Sequence, residues 1–304
     1  MNRSPAAIRA AAMGLAASLF AAGFTAADTL PADGRHPLAL RENRAPRAKA
    51  DPFKIGGGAA AALFGATVLH PSKETVPREG FDPDRIALGL DRGEIRPLDA
   101  SVDRAGDALL AASALYPRLH AWATAPAGDR ASYQLRSLGL QIEAACFTLA
   151  ATAVAKTAFS RPRPNMYLYV YDRTDEGPDW GTSDGTFESF PSRHASLAWG
   201  SAVGAVTFAA VERPDLPAAV HFLGGMAAGA MAASTSLLRV EAGAHFPTDV
   251  AAGAALGSGI GIAVPLLHAR GNSTGRGAAL RSGLLGVLAG SVVAALAIPP
   301  TSPF

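Results

Sequence analysis

The sequence predicts an all-α protein: a bundle of apolar helices, several of them long enough to cross a membrane. Hydrophobic residues make up 49% of the 304 residues and charged residues only 17%, whereas ordinary soluble domains carry about 25% charge. Helix-length apolar segments recur along the chain without the alternation typical of strands. Several approach the roughly 20 residues that a membrane-spanning helix needs. A soluble bundle of deeply buried helices is the alternative.

The N-terminus has the pattern of an export signal. Two arginines precede an apolar stretch over 10–24, and small residues follow up to Ala27. We expect residues 1–27 to be a signal peptide cleaved after Ala27, with an uncleaved first membrane helix as the alternative. Residues 28–52 are rich in proline and charge and have little periodicity, which predicts a flexible linker.

The rest of the chain divides into apolar segments and polar connections. The predicted helices cover 53–70, 107–124, 137–159, 195–211, 218–238, 247–268 and 280–298. The expected divisions are an N-terminal helix with a charged connection (53–103), the main helical bundle (104–270), and a C-terminal hydrophobic helix and tail (271–304). Many alanines and glycines suit the close helix packing seen inside membranes. A long polar and aromatic loop is expected over 165–189.

The charges argue against one class of partner and predict an orientation. A formal charge of +2, without a Lys/Arg tract, gives no support for nucleic-acid binding. Three connections carry most loop arginines: Arg130 with Arg136, Arg213 alone, and Arg270 with Arg276 and Arg281. By the positive-inside tendency these connections face the cytoplasm, and the loops over 160–194 and 239–246 face outside. On that topology 53–70 packs on the bundle or lies at the membrane interface rather than crossing.

Three separated segments place polar residues at the predicted outer ends of helices. They read KTAFSRPRP, with Lys156 and Arg163, then FPSRHAS, with Ser192 and His194, and finally RVEAGAHFPTD, with Arg239, His245 and Asp249. Each has an ordinary explanation as helix-end cations, an N-cap or a first-turn acid. Together they supply every group that phosphoryl transfer requires.

Four of these residues are suited to hold a phosphoryl group. Its negative charge spreads over three oxygens, which the protein must surround with donors. Arg163 and Arg239 each offer paired N–H groups, and Lys156 offers a compact charge. Ser192 adds a hydroxyl beside the N–H groups at the start of the following helix.

The remaining three are suited to make and break bonds. We expect a ring nitrogen of His245 to attack phosphorus, and Asp249 to accept a hydrogen bond from the other ring nitrogen. His194 would protonate the leaving alkoxide and then activate water. The cations supply the positive charge, so no metal or other cofactor is expected.

In this order K-x6-R-P, P-S-x-H and R-x5-H-x3-D resemble the type 2 phosphatidic acid phosphatase (PAP2) superfamily, which includes class A acid phosphatases and vanadium haloperoxidases. The resemblance implies a helical bundle of the PAP2/haloperoxidase type, metal-independent hydrolysis, and a nucleophile at His245. Two positions depart from the family. Arg193 replaces the usual glycine, which either impairs the site or adds a phosphate contact, and Leu238 replaces a serine.

The resemblance therefore implies a phosphatase acting on phosphomonoesters or diphosphates of lipids, such as phosphatidate or a polyprenyl diphosphate, through a phosphohistidine. Membrane lipids would surround it in a bacterial-type inner membrane, with the active site facing the periplasm. The alternatives are a soluble periplasmic acid phosphatase acting on small phosphoesters, a vanadium-dependent haloperoxidase, and an inactive lipid-phosphate-binding protein.

Overall fold

The computed structural model describes residues 83–171, 187–269 and 274–298. Across these ranges the chain forms helices and no strand, so the all-α prediction is confirmed. The expected signal peptide, linker and 53–70 helix lie outside the described residues, as does most of the predicted loop over 165–189.

Two one-turn segments, Pro83–Arg85 and Gly89–Arg92, precede the longer helices of the described chain. These longer helices are α1 (Ala100–Thr124), α2 (Arg130–Phe159), α3 (Pro164–Tyr171), α4 (Arg193–Glu212), α5 (Ala218–Glu241), α6 (Pro247–Leu267) and α7 (Arg276–Ala297). All but α3 correspond to predicted helices. The predicted loop over 165–189 was wrong at its start, where Pro164 occupies the first helical position that proline favours.

Local capping explains where several helices begin and end. The Asp99 carboxylate accepts hydrogen bonds from the backbone N–H groups of Ser101 and Val102 at 2.8 and 3.2 Å and so caps α1. Ser192 is the N-cap of α4. At Ser160 the chain adopts a left-handed conformation, with φ 41°, which ends α2.

Helix α4 is the centre of the bundle. Its side chains Val203, Val206 and Phe208 are at most 1% exposed, and α1, α2, α5, α6 and α7 all pack against it. Glycines allow the closest helix contacts. A Cβ at Gly257 of α6 would lie 2.0 Å from the Ser196 carbonyl oxygen of α4, so only glycine fits there.

Consecutive long helices run in opposite directions, which creates two distinct ends. Arg136 at the start of α2 pairs with Glu212 at the end of α4, with Nη2 2.6 Å from Oε1. The opposite end, which we call the site end, collects the N-termini of α1, α4 and α6 and the C-termini of α2 and α5. Arg239 near the end of α5 therefore meets Asp103 near the start of α1.

Four segments are long and apolar enough to cross a membrane: Arg130–Leu168, Arg193–Glu212, Pro247–Leu267 and Arg276–Ala297. Large apolar side chains are also exposed on the outside of the bundle, among them Leu135, Phe147, Leu223, Leu285 and Val293. Both features are compatible with a membrane protein.

Candidate active site

The fold brings all the sequence-predicted site residues to the site end of the bundle. Lys156 lies in the last turn of α2, Arg163 directly before α3, Ser192 at the N-cap of α4, Arg193 and His194 in its first turn, Arg239 in the last turn of α5, His245 in the α5–α6 turn, and Asp249 in the first turn of α6.

The hydrogen bond of His245 defines which ring nitrogen is available. Nδ1 lies 2.8 Å from the backbone carbonyl oxygen of Ser189. A carbonyl oxygen only accepts, so Nδ1 carries the proton and the lone pair lies on Nε2. Asp249 Oδ2 is 3.8 Å from Nδ1, beyond hydrogen-bond distance. The hydrogen bond expected from His245 to Asp249 is thus made to the Ser189 carbonyl instead.

The surroundings of His245 keep its ring uncharged. Its side chain is 2% exposed, and this burial lowers its pKa to about 3. The carboxylate of Asp249 opposes the shift, whereas the positive charges of Arg163 and Lys156 add to it. A pKa this far below neutrality leaves the ring neutral and its Nε2 lone pair available at ordinary pH.

Asp249 is fully buried, and three donors surround its carboxylate. Arg161 Nη1 lies 2.6 Å from Oδ1. The backbone N–H of Phe246 donates to Oδ2 at 2.8 Å, which caps α6, and the Ser189 hydroxyl also donates to Oδ2. Ser189 therefore contacts both Asp249 and the His245 ring, and it links these two residues where a direct hydrogen bond was expected.

Arg161 is a site residue that the sequence did not reveal. Besides Asp249 it binds Asp91, with Nη2 2.9 Å from Oδ2, and its guanidinium lies 4.2 Å from the centre of the Phe246 ring. Thr248 donates to Asp91 through its hydroxyl at 2.6 Å and its backbone N–H at 3.2 Å. We call Asp91, Arg161, Thr248 and Asp249 the buried ion network.

The chain before α1 packs on the turn that carries His245. Arg96 Nη1 lies 2.9 Å from Glu241 Oε2, and the backbone N–H of Asp99 donates to the Ala242 carbonyl at 3.0 Å. Gly243 in this turn has φ 69°, and a Cβ there would lie 2.7 Å from the Pro97 carbonyl oxygen. Glycine is needed for both reasons. Residues 83–99 thus help to hold the His245 turn in place.

Two acids on α1, Asp103 and Asp107, also reach the site and were not predicted. Asp107 Oδ1 lies 2.8 Å from His194 Nε2 and 3.3 Å from Arg239 Nη1. Asp103 Oδ1 lies 2.6 Å from the same guanidinium nitrogen. The signal available in the sequence was their i, i+4 spacing, which places two acids on one face of α1.

Arg193 fits its position without strain. It lies in the first turn of α4, and within the described ranges Ser160 alone among non-glycine residues has a positive φ. The glycine that the family usually has is therefore not needed for backbone conformation here. The Arg193 side chain is 51% exposed, and its Nη2 lies 3.2 Å from Glu188 Oε2. Lys156 is buried nearby and donates to the backbone carbonyl of Glu188.

Ser192 fixes the start of α4 against the start of α6. Its hydroxyl accepts from the backbone N–H of Ala195 at 3.4 Å, and its own N–H donates to the Asp249 carbonyl at 3.0 Å. A Cβ at Gly253 would lie 2.6 Å from the Ser192 carbonyl oxygen. The first turn of α4, whose N–H groups have no acceptors within the helix, is therefore fixed close to the His245 turn.

This geometry suits an anion with tetrahedral oxygens. A neutral imidazole nitrogen, several cations and a helix N-terminus converge at one end of the bundle. In the part of the chain that the structure describes, no group of three or more His, Cys, Asp or Glu side chains forms a candidate metal site. The cationic side chains of the three motifs at this end include Lys156, Arg163, Arg193 and Arg239.

Comparison with known families gives a match over the middle of the chain. Residues 138–272 match the family model described as the PAP2 superfamily. The matched range includes every residue from Lys156 to Asp249 and leaves out Asp91, Asp103 and Asp107. Searches of curated proteins and of solved structures found no significant match.

Proposed function

Because residues 138–272 match the PAP2 superfamily model, we propose that the protein is a phosphatase of this type, hydrolysing lipid phosphates through a phosphohistidine intermediate. The family suggests phosphatase activity on phosphoesters. The observation that carries the mechanism is the hydrogen bond from His245 Nδ1 to the Ser189 carbonyl, which leaves Nε2 as the nucleophile.

In the first step Nε2 of His245 attacks phosphorus. The bond from phosphorus to the leaving oxygen breaks, and His194 gives its proton to the departing alkoxide. The positive charge that develops on the His245 ring is stabilised by the Ser189 carbonyl oxygen at Nδ1 and by the Asp249 carboxylate 3.8 Å away. The product is a phosphohistidine on His245 and a free alcohol.

In the second step water hydrolyses the bond between phosphorus and His245. His194, now neutral, takes a proton from water, whose oxygen attacks the phosphohistidine. The bond to Nε2 breaks, and inorganic phosphate leaves with both histidines restored. In both steps the charge on the three equatorial oxygens is stabilised by Lys156, Arg163, Arg239 and the first turn of α4.

A lipid substrate is favoured by the surface next to the site. Val154 and Phe159 near the end of α2 are each more than half exposed, and Phe159 lies one turn beyond Lys156. An acyl or prenyl chain could therefore lie along the outside of α2 while its phosphate reaches the cations. The four candidate spans support the same substrate class.

The arginines in the connections opposite the site support an orientation with the site outside the cytoplasm. Arg130, Arg213 and Arg276 lie at the end of the bundle opposite the site, where the α1–α2, α4–α5 and α6–α7 connections lie. Cytoplasmic loops are enriched in arginine and lysine. We therefore propose that the site end faces the periplasm of a bacterial-type cell.

The test is phosphate release by detergent-solubilised protein in excess EDTA. Phosphatidate, a polyprenyl diphosphate and a soluble aryl phosphate are compared, with His245→Ala as the matched variant. We expect EDTA-resistant release, faster from a lipid, and no turnover by His245→Ala although it still binds vanadate. Faster release from the aryl phosphate would indicate a soluble-substrate phosphatase. Wild-type rates in His245→Ala would overturn the mechanism.

A further inference from the structure

We propose that Asp107 is a positioning residue for His194: its carboxylate holds Nε2–H of the imidazole, so that Nδ1 exchanges the proton with the leaving group. The inference rests on the proposed function and deepens it. Asp107 lies on α1, outside the range 138–272 that matches the family.

The contact has the geometry of an oriented acid–base histidine. His194 Nε2 lies 2.8 Å from Asp107 Oδ1, a distance typical of a charge-assisted hydrogen bond. An ionised carboxylate only accepts, so Nε2 carries a proton. An acid–base histidine needs one ring nitrogen fixed and the other directed at the substrate, and a carboxylate commonly fixes it. Asp107 occupies that place for His194.

The two acids also affect whether the His194 ring can carry a positive charge. A general acid must hold its proton before the leaving group departs, yet burial of the ring and, after it, the neighbouring Arg239 disfavour a charged imidazole. The charged groups that face His194 are Arg239 from α5 and the two acids from α1, Asp103 and Asp107. Asp103 lies 2.6 Å from Arg239 and so offsets that guanidinium, while Asp107 contacts both the guanidinium and the imidazole. Together the two acids oppose the effects of burial and of Arg239 on the imidazolium.

The proton balance follows directly. In the first step imidazolium His194 keeps Nε2–H on Asp107 and gives its Nδ1 proton to the leaving alkoxide, which becomes the alcohol. In the second step neutral Nδ1 takes a proton from the attacking water, and the imidazolium is restored as phosphate leaves. Asp107 stays ionised throughout, so it orients His194 and exchanges no proton itself.

The test compares substrates whose leaving groups differ in their need for protonation. An aryl phosphate departs without protonation, whereas an alkyl phosphate such as phosphatidate needs the acid. We expect Asp107→Asn to lower kcat for phosphatidate roughly 10- to 100-fold, part of the 10²–10⁴ that acid–base catalysis contributes, and kcat for p-nitrophenyl phosphate less than about 3-fold. The alkaline limb of the kcat/KM profile should move to lower pH, since the carboxylate no longer stabilises the imidazolium.

Two variants control the result. Asp215→Asn removes an exposed acid that pairs with Arg213 at the opposite end, and we expect unchanged kinetics. In His194→Ala, adding Asp107→Asn should cause little further loss, because the proposed role of the acid is exerted through the histidine and Asp103 still pairs with Arg239. Equal losses on alkyl and aryl substrates, or additive losses in the double variant, would overturn the proposal.

A measurement that does not depend on catalytic turnover tests this inference separately from the proposed function. In ¹⁵N-histidine-labelled protein, with His194→Ala used for assignment, we expect the neutral His194 ring to carry its proton on Nε2. Asp107→Ala should change that tautomer population. An Nδ1-protonated ring in the wild type contradicts the inference, whatever the enzyme hydrolyses. If the expected tautomer is observed but the protein has no phosphatase activity, the proposed function is contradicted and this inference is not.

Discussion

Arg161 and Asp249 form an ion pair that joins the first motif to the third, with Nη1 2.6 Å from Oδ1. Arg161 is 22% exposed and Asp249 is fully buried. The same guanidinium binds Asp91, so two acids distant in sequence share one arginine. Asp249 thus has two roles: its negative charge lies near the His245 ring, and its ion pair holds three segments of chain together.

Arg161→Ala tests the ion pair. Removing one partner of a buried pair leaves an uncompensated charge, which costs about 3–5 kcal/mol of unfolding free energy. We expect a large drop in thermal stability in detergent. Arg161→Lys keeps the charge but cannot form the forked contact with both acids, so its loss should be intermediate.

The matched control for Arg161 is Arg136→Ala at the opposite end of the bundle. Arg136 pairs with Glu212 at 2.6 Å but is 41% exposed. A partly exposed ion pair of this kind contributes about 1 kcal/mol, well below the cost of breaking a buried pair. Equal destabilisation by the two alanine variants would contradict a special role for the buried ion network.

Asp91→Asn tests whether the chain before α1 is part of the site. The variant keeps the shape of the side chain and removes the charge that binds Arg161 and Thr248. We expect faster hydrogen exchange over 83–99 and a lower kcat. Asp84→Asn is the control, because Asp84 is 85% exposed and lies 3.6 Å from Arg92. Unchanged exchange in Asp91→Asn would show that the network does not anchor this segment.

Asp249→Asn should leave measurable activity. Where an aspartate alone sets the histidine tautomer, its loss lowers kcat about 10⁴-fold. Here the Ser189 carbonyl accepts the Nδ1 hydrogen bond, so the tautomer survives the substitution. We expect a fall in kcat of no more than about 10²-fold, which represents the lost stabilisation of the charged ring. A single-turnover measurement of phosphohistidine formation checks this, and a loss near 10⁴-fold would show that Asp249 sets the tautomer.

Arg193→Gly restores the residue that the family usually has. Because Arg193 is helical and half-exposed and pairs with Glu188, we expect kcat/KM to change less than about fivefold, the equivalent of about 1 kcal/mol. Arg193→Lys keeps the charge and should resemble the wild type. A rise in rate of tenfold or more in Arg193→Gly would show that the native arginine restrains the site.

The residues proposed to carry the chemistry could be identified from the sequence because they form three compact motifs. Lys156, His194 and His245 were all placed correctly at the site end, since apolar periodicity located the helices and each motif lies at a helix terminus. The short helix α3 was missed because its aromatic and polar residues lack a clear period.

The supporting contacts could not be read in the same way. Asp91 and Asp107 reach the site only through helix packing, across separations in sequence that no local pattern encodes. The Ser189 contact uses a backbone carbonyl, which every residue has, so no side-chain signal marked it. The sequence therefore predicted an aspartate as the partner of His245 where the structure has a carbonyl.

The neutral state of His245 gives a prediction on pH. Burial lowers its pKa to about 3, whereas an exposed histidine titrates near 6.5. Between these values the folded protein holds a neutral ring that the unfolded chain would protonate. We therefore expect the ¹⁵N signals of His245, assigned with His245→Asn, to show an unprotonated Nε2 from pH 8 down to about 4.

The free energy of unfolding should decrease as the pH drops below about 6.5. The decrease should be less steep in His245→Asn, because that side chain takes up no proton on unfolding. A His245 titration near pH 6.5 would show that the ring is solvated and would remove the basis for a nucleophile that stays free at acid pH.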